Sequence, residues 1–204
     1  MKITLIVEGK TEKAFLPHLR QFLTLRLPNK MPKLDVNPYD GRIPTGDKLK
    51  RIVQMLLSGQ RPSDHIIALT DVYTGNQPPE FQNAADAKDK MRQWVGLEPR
   101  FHPHIALHDF EAWLLPYWDF IQKLAGHHQK SPTGKPETVN HNKPPAYHIK
   151  EIFEIGKCRD SYVKPRDAGR ILSKNDLAVA VAACPELKAL VNTIISVCGG
   201  QIIP

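Results

Sequence analysis

The chain has 204 residues, 41% of them hydrophobic and 24% charged, and carries a formal charge of +7 with an isoelectric point near 9.3. That length holds one well-packed domain with an appendage, or two small domains at most, and the basic surface favours polyanionic partners. A membrane helix is excluded because no run reaches ~18 apolar residues, and the six residues between Lys2 and Gly9 are too few for a signal h-region, so a cytoplasmic protein is expected.

Residues 2–8, "KITLIVE", read as a buried strand. From Thr11 to Leu27 the apolar positions Phe15, Leu16, Leu19, Phe22, Leu23 and Leu27 recur at helical spacing, and Pro17 within them implies a kink or a late start. "LDVNPYDG" is a second strand and turn, and Asp47 to Leu57 a second helix stopped by "SGQRPSD". "HIIALTD" is a third buried strand closed by "VYTGNQPPE", Ala84 to Val95 a third helix, and "RFHPHIAL" a fourth strand. This β-α-β-α-β-α-β order predicts an α/β core over residues 1–118, with a mostly parallel sheet flanked by helices.

The second half, residues 119–204, reads as a helical extension packed on the core as one domain. "DFEAWLLPYWDFIQKL" has the pattern of a helix, and the Pro/Lys/His-rich stretch 126–146 that of a loop or lid. Helical segments follow at roughly 147–156, 174–184 and 186–197. Between Lys143 and Lys174 eight Lys/Arg face four Asp/Glu, which makes either a solvated face or a polyanion contact. Cys158, Cys184 and Cys198 form no CxxC pair, and their odd number argues for small buried residues over a disulfide framework.

The chemistry concentrates where strands end. In "ITLIVEGKTEKAFL" the Gly9-Lys10-Thr11 triplet imitates the close of a phosphate-binding loop. Such a loop needs a glycine five residues before Gly9, and that position is Thr4 inside the strand. A carboxylate at Glu8 would also repel phosphate. An acidic site fits better: ligands of an open parallel sheet collect at the carboxyl ends of its strands. Glu8 closes the first strand and Asp71 the third, while Glu12 lies in the first helical turn. His108, Asp109 and Glu111 follow the fourth strand. Crowded carboxylates raise one another's pKa unless a cation sits among them, and Mg²⁺ takes oxygen ligands with only a few carboxylates. Each residue also has a plainer use, as helix-dipole partner, turn former or N-cap. Zinc is not supported: His102/His104 and His127/His128 lack cysteines at ligand spacing, and there is no HExxH. The absence of GxSxG leaves no nucleophile elbow.

"LIVEGKTEKAFL", then "ALTDVYTG", then "IALHDFEAWLL" resembles the Toprim domain, in the version found in nucleases of the overcoming-lysogenisation-defect (OLD) type. Over nearly its full length the chain is similar to a bacterial family of domains of unknown function in that clan (DUF4276-like). Members carry a VEG.TE start, an HEFEA-like box, a proline-glutamate segment (here "GKPETVN"), a Y.K element (here "SYVKPRDAG") and a "CPEL"-like start to the last helix. The resemblance implies a Toprim-like fold and Mg²⁺ or Mn²⁺ chemistry on phosphodiester bonds. It implies Glu8, Asp71, Glu111 and Lys164 as catalytic residues, with Lys164 stabilising charge on the scissile phosphate. It implies Glu8, Glu12, Asp71, Asp109 and Glu111 as metal ligands, Glu12 as the candidate for a second metal, with His108 beside them. The second Asp of the Toprim DxD is Tyr73 here, so the site is either rebuilt around Glu111 or binds without cutting. Two functions follow. One is a metal-dependent nuclease acting on DNA or RNA; the other is a non-catalytic or conditionally active binding module for nucleic acid or nucleotide. Some clan members work beside a controlling ATPase as bacterial defence effectors, which implies a possible ATPase partner.

Overall fold

Short runs of Ile, Leu and Val, too brief for helices and buried on both faces, pair side by side into a parallel sheet. The computed structural model describes residues 1–39, 41–72, 80–156 and 161–204. Asp40, residues 73–79 with Tyr73, and residues 157–160 with Cys158 lie outside the described residues. The first half comprises β1 (Lys2–Val7), α1 (Lys10–Thr24), β2 (Lys33–Pro38), α2 (Gly46–Ser58), β3 (His65–Val72), α3 (Ala84–Val95) and β4 (Phe101–Leu107). The strands lie in the order β2-β1-β3-β4, and every pairing is parallel.

Alternation along the strands divides the core between the two faces. Ile3, Leu5, Val7, Ile67 and Leu69 meet α1 and the helices of the second half, whereas Ile6, Ile66, Ala68 and Ile105 meet α2 and α3. Each such fully buried aliphatic side chain contributes roughly 1.5–3 kcal/mol. Thr4, the polar residue within β1, is satisfied by Ser63 at 2.7 Å.

Two local expectations are revised, and one of two alternatives at Pro17 is removed. α1 begins at Lys10 and contains Pro17, so it does not start late. The ring stands on the exposed side, where its missing N–H removes one helical bond. The helix expected over 109–124 is instead two 3₁₀ turns, Phe110–Trp113 and Leu115–Tyr117, followed by α4 (Trp118–Ala125). Pro116 explains the break: it cannot donate and would clash with the carbonyl of Ala112. After α5 (Pro145–Ile155), the chain forms α6 (Lys164–Ser173), where the sequence suggested no helix, then α7 (Leu177–Ala183) and α8 (Pro185–Val197). α6 buries Asp167, Ala168, Ile171 and Leu172 and packs on α1. Among the described residues, no single helix is long and apolar enough to cross a membrane.

The segment between α4 and α5 is tied down by hydrogen bonds. Trp118 Nε1 and Gln122 Nε2 both donate to the Gln129 carbonyl at 2.8 Å. In the third 3₁₀ turn, Pro136–Thr138, Glu137 is only 3% exposed. Its carboxylate accepts Trp113 Nε1 at 2.9 Å and the backbone N–H groups of Glu186 at 2.9 Å and Leu187 at 3.3 Å. Glu137 therefore serves as a side-chain cap, from a distant loop, for the first turn of α8. The "PET" and "CPEL" segments meet through this one group.

His104, buried on β4, lies 2.9 Å from Thr193 Oγ1 through Nε2. Burial first, then the charge of Lys88, lowers its pKa to about 3. The unfolded chain takes this proton near pH 6.5 and the folded chain only near 3, so His104 contributes stability above 6.5 that is lost as pH falls. Urea unfolding at a series of pH values should show the native protein losing roughly 2–4 kcal/mol more than His104→Gln between pH 6.5 and 4. Parallel curves for the two proteins would sink this assignment.

Candidate functional site

β1 has β2 on one side and β3 on the other, so the chain switches direction across the sheet at its carboxyl end. At such a switch point the connecting segments part and leave a crevice. Glu8 stands there because β1 ends at Val7. Its backbone is anchored from the β2 side: Tyr39 N–H donates to the Val7 carbonyl at 2.9 Å, and Gly41 N–H to the Glu8 carbonyl at 3.2 Å. Its side chain is anchored from the β3 side, where Oε1 accepts the Thr70 hydroxyl and the Asp71 N–H, the latter at 3.0 Å.

The other acidic groups gather around this point. Glu12, buried in the first turn of α1, feels the charges of Glu8 and Glu111. Asp71, half-buried near the end of β3, feels Glu8, Asp109, Glu12 and Glu111. Asp109 is fully buried; its Oδ2 accepts the Ala146 N–H at 3.0 Å, while its Oδ1 has no hydrogen-bond partner. The turn that delivers it passes through His108, a non-glycine residue at φ +69° with an unpartnered Nδ1. A left-handed histidine is strained, and such strain persists where surrounding structure over-determines it. Glu111, 1% exposed, has both oxygens engaged: Oε1 by the Tyr162 hydroxyl and Oε2 by Lys164 Nζ, each at 3.1 Å. Lys164 is the first residue of α6.

The electrostatics are those of crowded anions removed from water. Burial, then the neighbouring charges, pushes Asp71 far above the usual carboxylate range. Asp109 is raised to about 7, by burial and then by Glu111, against the Ala146 N–H and Lys164. Burial also raises Glu8 and Glu12. For Lys164, burial favours loss of the proton, but the charges of Glu111 and Asp109 outweigh it and raise its pKa.

The donor set suits a hard cation. It is made of carboxylate oxygens, and a buried, unpartnered Asp109 Oδ1 lies within it. Among the described residues no three His, Cys, Asp or Glu side chains already form a closed ligand set. Mg²⁺ does not need one, since it keeps several waters and takes one or two carboxylates directly.

The structure brings Glu8, Glu12, Asp71, Asp109, Glu111 and Lys164 to one crevice, with His108 at its margin. Tyr73 lies outside the described residues. Sequence reasoning missed three groups. Thr70 carried a faint signal as the polar residue in "HIIALT". Tyr162 belonged to a quoted motif without an assigned role. Arg42, whose charge acts on Glu8 and which pairs with Glu80, carried no signal at all.

The fold is similar to that of the C-terminal region of the Burkholderia pseudomallei OLD protein, at 14% identity and a TM-score of 0.52, over 96% of this chain and 98% of that one. The C-terminal region of the Xanthomonas campestris pv. campestris OLD protein matches at 13% identity and a TM-score of 0.42, over 93% and 95%. No curated protein matches the chain. The four-stranded parallel sheet flanked by helices is thus the Toprim-like α/β arrangement expected from the motifs. Residues 7–195 match the model of the Domain of unknown function (DUF4276), and the chain belongs to that family.

Proposed function

We propose that the protein is a metal-dependent phosphodiesterase acting on nucleic acid in the cytoplasm. The observation that carries this reading is the convergence of Glu8, Glu12, Asp71 and Asp109 at the switch point, with Asp109 Oδ1 buried and unpartnered. A binding module for polyanions has no use for such a concentration of negative charge. One or two of Glu8, Asp71 and Asp109 would hold Mg²⁺ or Mn²⁺ directly and the others through water, with Glu12 close by. A divalent cation, when bound, would supply an activated water and neutralise the phosphate. Glu8, fixed by Thr70 and the Asp71 N–H, would accept a proton from attacking water. Lys164, held by Glu111, would face the phosphate oxygens. The net charge of +7 supplies affinity without sequence preference.

The test is incubation of the full chain with supercoiled plasmid, single-stranded DNA and tRNA, in Mg²⁺ or Mn²⁺, beside EDTA and the Glu8→Gln variant. Cleavage by the native protein should vanish in EDTA and fall by about 10³-fold in Glu8→Gln, a loss of ~4 kcal/mol in transition-state stabilisation. Tyr73 in place of a second aspartate favours a second reading, a conditional module working with a partner ATPase. Metal-dependent thermal stabilisation without cleavage of any of the three substrates would select that reading.

A further inference from the structure

Glu111 is the most deeply placed acidic group on the β4 side of the crevice after Asp109, and it is fully committed. Its two oxygens face two donors, the Tyr162 hydroxyl and the Lys164 ammonium, at 3.1 Å each. Tyr162 is itself seated, with its ring edge-on to Phe153 at 5.5 Å. The ammonium is not a surface charge that happens to pass by. Asp109 and Asp71 also act on it, so Nζ faces the acidic cluster although half of the lysine side chain is exposed. On the β1 side the groups are differently disposed. Glu8 spends Oε1 on Thr70 and Asp71 N–H, and among the described residues Glu12 and Asp71 accept no hydrogen bond from a cationic side chain.

We propose that the crevice takes a single divalent cation, on the Glu8–Glu12–Asp71–Asp109 side, and that the Lys164 ammonium locked on Glu111 occupies the place of a second one. This rests on the metal-dependent reading above and specifies how its positive charge is divided. Two-metal sites hold their ions roughly 3.5–4 Å apart and need carboxylates for both. Here the carboxylate available to a second ion, Glu111, already carries an ammonium and a phenol. A lysine cation is compact and mobile on its stem, so it can supply charge to a phosphate without coordination geometry.

The experiment is a stoichiometric titration of the full chain with Mn²⁺ at pH 8, followed by calorimetry and by the electron paramagnetic resonance of free Mn²⁺. The native protein should bind one Mn²⁺ per chain. Lys164→Met, which keeps the stem and frees Glu111, should bind two, and Lys164→Arg should return to one. Two Mn²⁺ in the native chain, or one in Lys164→Met with an unchanged circular-dichroism melt, overturns the proposal and leaves the metal-dependent reading intact. No binding by the native chain overturns both. If Lys164→Met does not fold, the native stoichiometry together with Lys164→Gln decides in the same way.

Discussion

Glu137→Ala should destabilise the protein by about 3–5 kcal/mol in urea denaturation, among the largest effects of any single side chain outside the apolar core. The variant strands Trp113 Nε1 and the N–H groups of Glu186 and Leu187, all served by one carboxylate. Burial of unpaired donors costs ~1–3 kcal/mol each, partly relieved by water reaching the gap. Burial raises the pKa of Glu137 even with these donors present, so the charge itself is not what stabilises. Glu137→Gln, which keeps a carbonyl acceptor, should therefore cost only about 1 kcal/mol. Equal losses in the two variants would show that charge, not the filling of donors, holds α8 in place.

Asp71→Asn should behave in the opposite sense. In EDTA at pH 8 it should be more stable than the native protein by about 1–3 kcal/mol, while gaining nothing from Mg²⁺ or Mn²⁺. The reason is the sign of the carboxylate shifts. Asp71 and Asp109 have folded-state pKa values raised above their unfolded ones, with Asp109 at about 7. The stability linked to their protons is complete below about pH 4 and is lost as pH rises through the folded values. Between pH 6.5 and 8.5, where the remaining titration of His104 in the unfolded chain adds only ~0.4 kcal/mol, the metal-free native protein should lose about 1–2 kcal/mol and Asp71→Asn less. Mg²⁺ should flatten the native curve by replacing the protons. Thermal melts across that pH window check both parts, and a destabilised Asp71→Asn in EDTA would mean that the cluster is not strained.

β1 and β3 were legible because each is a mainly apolar run cut off by charge or glycine: Ile3 to Val7 before Glu8-Gly9, and Ile66 to Leu69 before Thr70-Asp71. The acidic site was legible for the same reason, since a carboxylate that ends a buried strand of a parallel sheet has only one place to go. α6 was not, because its buried face is only Asp167, Ala168, Ile171 and Leu172, and Lys164, Arg166 and Arg170 mask the period. The 3₁₀ breaks after β4 were hidden by an apolar pattern that continues straight across Pro116. Hydroxyl partners leave no periodic trace. Thr70 reaches Glu8 across 62 residues and Tyr162 reaches Glu111 across 51, and such pairings exist only once the sheet and α6 are in place.

That dependence gives the crevice a place in time. The β1–β3 pairing, with Ile3 opposite His65, spans more sequence than either of the other strand pairings, and Glu8 acquires Thr70 and Asp71 only through it. Loop closure over so long a separation is slow. Mn²⁺ uptake in a stopped-flow refolding experiment should therefore rise with the final phase, after helical circular dichroism has recovered. The ion would serve as a clock hand, marking the moment at which the two halves of the sheet come into register.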